Sequence, residues 1–193
     1  IGATKTMEDY IAFILSIAGE DDILKPCYGI VPNADLEEWI APDLKGFDNH
    51  GPVRVGNAAA LQSQHDAYGS VILSAVPMFF DRRLPHPGGE SLFHLIERLA
   101  KKCAELALKP DAGIWEYRGR ARIHTHSAAM CWAGLSRAGA IANRLGLTDR
   151  AAHWNKLAHD VKTVILARCW NDKRQAYAAG VDTDDMDASV LLL

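Results

Sequence analysis

A carboxylate follows an indole in Asp111-Ala-Gly-Ile-Trp-Glu-Tyr-Arg118, a glycine-containing stretch just ahead of a strongly apolar segment. Apolar neighbours disfavour the charged form of a carboxyl group and raise its pKa. A raised pKa lets Glu116 hold a proton near neutrality, which is what a general acid requires. Trp115 offers a flat apolar face on which a sugar ring can stack. The plainer alternative is an exposed Glu in an ordinary loop, preceded by a core Trp.

Other residue types in the chain could also bind or react. Arg118, two positions after Glu116, could contact a substrate, orient the acid or form a structural salt bridge. Arg54, Asn57 and Asp66 carry groups suited to hydrogen-bonding hydroxyls, although Asn57 is equally suited to capping a helix. His124 and His126 are a candidate metal pair, but two residues apart at a helix start they face different ways and no third ligand lies nearby. A hydrogen-bonding role near a pocket suits them better. Asp182-Thr-Asp-Asp185 spells the acid motif of protonation-type terpene cyclases, yet also reads as a solvated acidic turn, and the aromatic lining such cyclases need is sparse. Nothing in the sequence calls for a metal or a cofactor.

These residues must be positioned by helices, because helical periodicity dominates and convincing strands are absent. Helices are expected at Met7 to Ala18, with Tyr10, Phe13, Ile14 and Ile17 on one face, and at Asn57 to Phe80, with Pro77 near its end. Further ones are expected at Ser91 to Leu108, His124 to Leu145 and Thr148 to Cys169, and a sixth from Asp187 onward. The second and fourth are apolar around most of their circumference, as enclosed helices are. The third and fifth carry charged faces, including Glu97, Lys101 and Glu105 in one and Arg150, Lys156 and Lys162 in the other. Inner and outer helices in alternation describe an α/α toroid, of which about half is present. The long connections, Glu20 to Gly56, Lys109 to Ile123 and Trp170 to Met186, exceed the roughly 12–15 residues of a featureless loop. Alternate loops of stacked antiparallel helices emerge at one end, where a binding site is expected.

The 193 residues suffice for one domain, with no composition shift suggesting two. A net charge of −3 provides no polybasic footprint for nucleic acid. No stretch has the length of a membrane span. Cys27, Cys103, Cys131 and Cys169 lie far apart, without CxxC spacing, which favours reduced thiols and a cytoplasmic setting. The chain opens at Ile1 without Met and closes on Ser189-Val-Leu-Leu-Leu193, inside an apolar run. A segment of a longer protein, truncated at both ends, is expected.

Three blocks carry a family resemblance. Val53-Arg-Val-Gly-Asn57 followed by Gln62-Ser-Gln-His-Asp66-Ala-Tyr-Gly69 resembles a signature of the family 15 glycoside hydrolases, the glucoamylase and trehalase-like group. Pro110-Asp-Ala-Gly-Ile-Trp-Glu-Tyr-Arg-Gly119, with His124-Thr-His-Ser127 and Met130-Cys-Trp132, is similar to the next block. Gly180 to Leu193, with Asp187-Ala-Ser-Val-Leu-Leu-Leu, resembles the one after it. The chain departs from the pattern at Arg120, Ala121 and Ala128, on the rim of the Glu116 loop.

The resemblance implies an (α/α)6 barrel in which residues 1–193 form part of a single catalytic domain. It implies inverting hydrolysis of α-glucosidic bonds, as in trehalose or short α-glucans, with Glu116 as general acid. Trp115, Arg118, Arg54 and Asn57 are the candidate substrate contacts. Inversion needs a second carboxylate about 6.5–9.5 Å from the acid, and in the family that base lies well beyond Leu193. The implied partners are an α-glucoside and the remainder of the parent chain, or a second copy covering exposed inner-helix faces. The alternative is a toroid that binds carbohydrate or serves as a scaffold without catalysis.

Overall fold

The computed structural model describes residues 4–17, 24–31 and 36–193. The chain forms two compact units, Lys25–Ser63 and the combination of Ile1–Leu24 with Gln64–Leu193.

In the smaller unit, β1 (Trp39–Ile40) pairs antiparallel with β2 (Arg54–Val55), Trp39 opposite Val55 and Ile40 opposite Arg54. Arg54 and Asn57 both have structural partners here. Arg54 Nη1 donates to Glu38 Oε1 at 2.8 Å. The Asn57 side chain accepts from Ala59 N at 2.9 Å and caps a short 3-10 turn, Ala58–Leu61.

All the α-helices among the described residues belong to the larger unit. Helix α1 (Thr4–Ile17) buries Ile11 and Ile14, while Tyr10 and Phe13 are exposed, so its apolar face is rotated from the expected one. The single helix expected over Asn57 to Phe80 is three pieces. The 3-10 turn ends at Leu61, α2 (Asp66–Ala75) follows an extended stretch, and α3 (Pro77–Phe80) restarts after Val76. Pro77 has no N–H to continue the ladder of α2 and sits at the first position of α3, where none is needed. Leu61, which stands at helical spacing from Tyr68 and Ile72 in the sequence, is 80% exposed.

The remaining long helices, α4 (Glu90–Leu106), α5 (Thr125–Arg144) and α6 (Thr148–Arg168), fall within two residues of their expected ends. Residues 188–192, expected to open a sixth α-helix, form a 3-10 turn, Ala188–Leu192, capped by the Asp187 side chain, which accepts from Ser189 N. Two further short strands, β3 (Trp170–Asn171) and β4 (Ala176–Tyr177), pair antiparallel.

The layering follows the patterning. Helix α5 packs against α2, α4 and α6; it is buried all round in its first turn, Thr125 to Ala129, and over a broad face from Cys131 to Ala142. Helices α4 and α6 each bury one stripe, Phe93, Ile96, Leu99, Ala100 and Cys103 in the first and Trp154, Ala158, Val161 and Ile165 in the second. Charged groups join these outer helices. Glu97 accepts from Arg150 Nε at 2.8 Å and from Trp154 Nε1 at 2.9 Å, and the Arg150 guanidinium lies 4.8 Å over the Phe93 ring. The fold is all-α, a partial α/α toroid with α2 and α5 inside and α4 and α6 outside.

Helices α2 and α5 approach unusually closely. A Cβ on Gly69 would meet the Met130 carbonyl oxygen at 2.0 Å, and one on Gly134 would lie 3.1 Å from Gly69 Cα.

Candidate active site

The segment between α4 and α5 is held in shape by its own backbone. Asp111 and Arg122 exchange both ladder bonds, N to O at 3.0 and 3.2 Å, and so close the loop at its base. Within it, Glu116 N donates to Gly113 O at 3.0 Å and Tyr117 N to Ala112 O at 3.2 Å. Gly113 has φ +69°, and Glu116 itself has φ +55°. A non-glycine residue in the left-handed region is uncommon and is retained where its surroundings fix it, often at functional positions.

Glu116 and Arg118 are exposed at the tip of this turn, and Trp115 is 53% exposed. The apolar enclosure expected around the Glu116 carboxylate is therefore not supplied by the described residues. Trp115 is fixed instead through its polar edge. Its Nε1–H lies 2.9 and 3.1 Å from the two oxygens of Asp187, whose Oδ1 also accepts from Ser189 N at 2.7 Å. Partial burial pushes the Asp187 carboxyl up, but the bonds from Ser189 and Trp115 outweigh it and hold its pKa below the usual value.

The third long connection meets this loop at the start of α5. Thr125 N and Oγ1 donate to the carbonyls of Ala179 and Ala178 at 3.0 and 2.7 Å, and Val181 N donates to Ile123 O at 3.0 Å. Arg122 Nη1 donates to Asp185 Oδ2 at 2.8 Å. Asp184 accepts from Asn171 Nδ2 at 2.6 Å and borders an open, polar cavity of about 410 Å³. Asp184 and Asp185 are solvent-exposed and neither enters an apolar cavity, so the terpene-cyclase reading is set aside.

Beneath the turn lies a buried polar layer, of which the sequence singled out Asp66, His124 and His126 but not the anchoring roles of His65, Asp111 and Ser127. Asp111 is 2% exposed, and its Oδ2 accepts from His65 N at 2.8 Å and from Ser127 Oγ at 2.9 Å. Asp66 is the first residue of α2, not two turns into a longer helix, and burial raises its carboxyl pKa, His126 opposing and Asp111 reinforcing the shift. The His124 ring is buried, stacked on Tyr117 at 5.8 Å between centroids, and its Nε2 packs against Gly113. No described group hydrogen-bonds to His124 Nε2 or His126 Nδ1. Among the described residues, no three His, Cys, Asp or Glu side chains are grouped to hold a metal ion. The signal for Asp111 and Ser127 was their place in the blocks around Glu116. His65, which donates only its backbone N–H, left no side-chain signal.

The loop thus presents the exposed Glu116 carboxylate on a backbone-braced turn, beside an indole anchored by a second carboxylate. The model of Glycosyl hydrolases family 15 matches residues 4–193. The sequence is 32% identical, over its whole length, to the trehalase of Mycobacterium tuberculosis, of which it covers 28%. It is 33% identical over its whole length to the trehalase of Mycolicibacterium smegmatis, covering 29%. Trehalase 2 of Sulfolobus acidocaldarius is 34% identical over 78% of the chain, which covers 26% of that protein. No solved structure gives a significant match. The chain belongs to family 15 of the glycosyl hydrolases. It spans under a third of the length of these relatives. No described helix is long and apolar enough to cross a membrane.

Proposed function

We propose that this chain is the acid-bearing segment of a single α/α-barrel catalytic domain that hydrolyses α-glucosidic bonds with inversion. Trehalose is the first candidate substrate, because the relatives above are trehalases, and short α-glucans are the second. Glu116 donates its proton to the departing glycosidic oxygen. Trp115, held by Asp187, shapes the pocket wall, and Arg118 contacts substrate hydroxyls; Arg54 is a further candidate contact for hydroxyls. Asn57, committed to its cap, shapes the loop beside Arg54. The general base and the remaining pocket walls come from the rest of the parent chain, so the segment alone is inactive. Remaining parent segments, or a second copy, cover the inner-helix faces. The four free thiols, Cys27, Cys103, Cys131 and Cys169, support a cytoplasmic setting.

The observation that carries this reading is the turn itself, which presents Glu116 at φ +55° beside an indole locked to Asp187. The test is Glu116→Gln in the full-length protein, assayed on trehalose and on α-glucosyl fluoride. Loss of general acid catalysis lowers the rate on trehalose by about 10²–10⁴-fold, with far less effect on the fluoride, whose leaving group needs no proton. Equal losses on both, or none on either, refute the assignment. A full-length protein that binds α-glucosides without cleaving any would instead be the non-catalytic toroid.

A further inference from the structure

We propose that Asp111 is the positioning residue of the acid, setting where Glu116 stands without touching substrate; this rests on Glu116 being the proton donor. Asp111 joins three segments at one point. Its Oδ2 accepts from His65 N, immediately before α2, and from Ser127 Oγ, in the first turn of α5. Its own N and O pair with Arg122 and close the base of the acid loop. A carboxylate oxygen that accepts two bonds from groups on separate elements fixes those elements relative to its own backbone, and charge-assisted bonds of this kind are the stronger ones.

From Asp111 the connection to the acid is short and stiff. Ala112 O and Gly113 O take the N–H groups of Tyr117 and Glu116, so the chain between Asp111 and the acid is folded back on itself. Gly113 is pressed on its other side by the His124 imidazole, close enough that a Cβ would lie 2.7 Å from Nε2. The turn therefore cannot settle toward α5 if the anchor slackens, and its free direction is outward, toward solvent. The Glu116 carboxyl would move with it. A displacement near 1 Å at a reacting group costs on the order of 10²-fold in rate.

The experiment uses the full-length enzyme with Asp111→Asn, Ser127→Ala, Glu116→Gln and the double variant Asp111→Asn/Glu116→Gln. Values of kcat and KM are measured on trehalose and on α-glucosyl fluoride, well below each variant's unfolding temperature. Asp111→Asn keeps the shape but weakens both bonds, and kcat on trehalose should fall about 10–100-fold with KM nearly unchanged. Ser127→Ala removes one bond of the two, and its loss should be smaller and of the same kind. Ser127→Ala carries the test alone if Asp111→Asn does not fold. The fluoride should be nearly unaffected by either change. In the Glu116→Gln background, Asp111→Asn should cost nothing further, because there is no proton left to place. Equal losses on both substrates, or an added loss in the double variant, would show that Asp111 only stabilises the fold and would overturn the proposal. A normal rate for Glu116→Gln sinks the acid assignment and this inference with it. A normal rate for both Asp111→Asn and Ser127→Ala, with Glu116→Gln impaired, overturns this inference alone.

Discussion

Adding one methyl group at Gly69 should cost more stability than its helix propensity returns. The Cβ would stand 2.0 Å from the Met130 carbonyl oxygen, 2.5 Å from its carbon and 3.2 Å from Cys131 N. All three are backbone atoms of α5, and no rotamer change can move them aside. Helices α2 and α5 must therefore part by about 1 Å, in an interior packed to crystal density. Overpacking of this kind costs about 1–3 kcal/mol, and more where backbone must shift. Against it stands the gain of about 1 kcal/mol from replacing Gly by Ala in a helix. With the collision at the upper end of the range, Gly69→Ala should destabilise the protein by about 2 kcal/mol. At about 2–4 °C per kcal/mol for a chain of this size, Tm should fall by roughly 4–8 °C. The assay is thermal unfolding followed by circular dichroism, with Gly139→Ala as the comparison. At Gly139 the Cβ meets the Asn155 side chain, 2.2 Å from Oδ1, which can swing away, so the propensity gain should keep its Tm near that of the parent. A Gly69→Ala protein that melts at or above the parent temperature would refute the close-approach argument.

Two other outcomes follow from the acid loop. Gly113→Ala must hold a Cβ at φ +69° and 2.7 Å from His124 Nε2, so the turn should shift, with activity of the full-length enzyme falling on the order of 10²-fold; a variant with unchanged kcat would show that Gly113 does not set the turn. Burial holds the His124 imidazole below its ordinary value of 6.5, with Asp111 and Asp187 pulling it up and Arg122 and Arg120 pushing it down. Its folded value lies below its unfolded one, so unfolding takes up a proton, and this contribution to stability is complete above pH 6.5 and lost as pH falls through the folded value. Asp66, raised by burial, acts in the opposite sense and loses its contribution as pH rises through its folded value. Urea unfolding of the parent and His124→Gln between pH 7.5 and 5 should show a shallower fall for the variant, and parallel curves would contradict the assignment.

Where side-chain pattern and backbone chemistry agreed, the fold was legible in the sequence. Helices α4, α5 and α6 are long, strongly periodic and bounded by breaks, and their ends fell within two residues. The stretch from Asn57 to Phe80 shows the opposite case. Leu61, Tyr68 and Ile72 recur at helical spacing, but periodicity counts side chains and is blind to the backbone. Asn57 spends its side chain capping a 3-10 turn that ends at Leu61, and Pro77 breaks the ladder at the far end. In α1 the error was one of phase. Several apolar residues permit two neighbouring faces, and the core took Ile11 and Ile14 while leaving Tyr10 and Phe13 outside.

The site was legible to a different depth. Trp115 and Glu116 announce themselves because a reactive group and its neighbour are adjacent in sequence. The anchoring of their loop does not, because His65, Asp111 and Ser127 are 46 and 16 residues apart and meet only through packing. That packing has its own sequence trace in Gly69 and Gly134, whose missing side chains let α2 and α5 approach. Both helices begin at the same buried carboxylate, so the spacing between them sets how His65 N and Ser127 Oγ converge on Asp111. A chain with larger residues at those two glycines could keep every chemical group of the loop and still hold Glu116 in a different place. The residues proposed to do the chemistry and the residues proposed to place it are thus separate sets, and only the first can be read from local spacing.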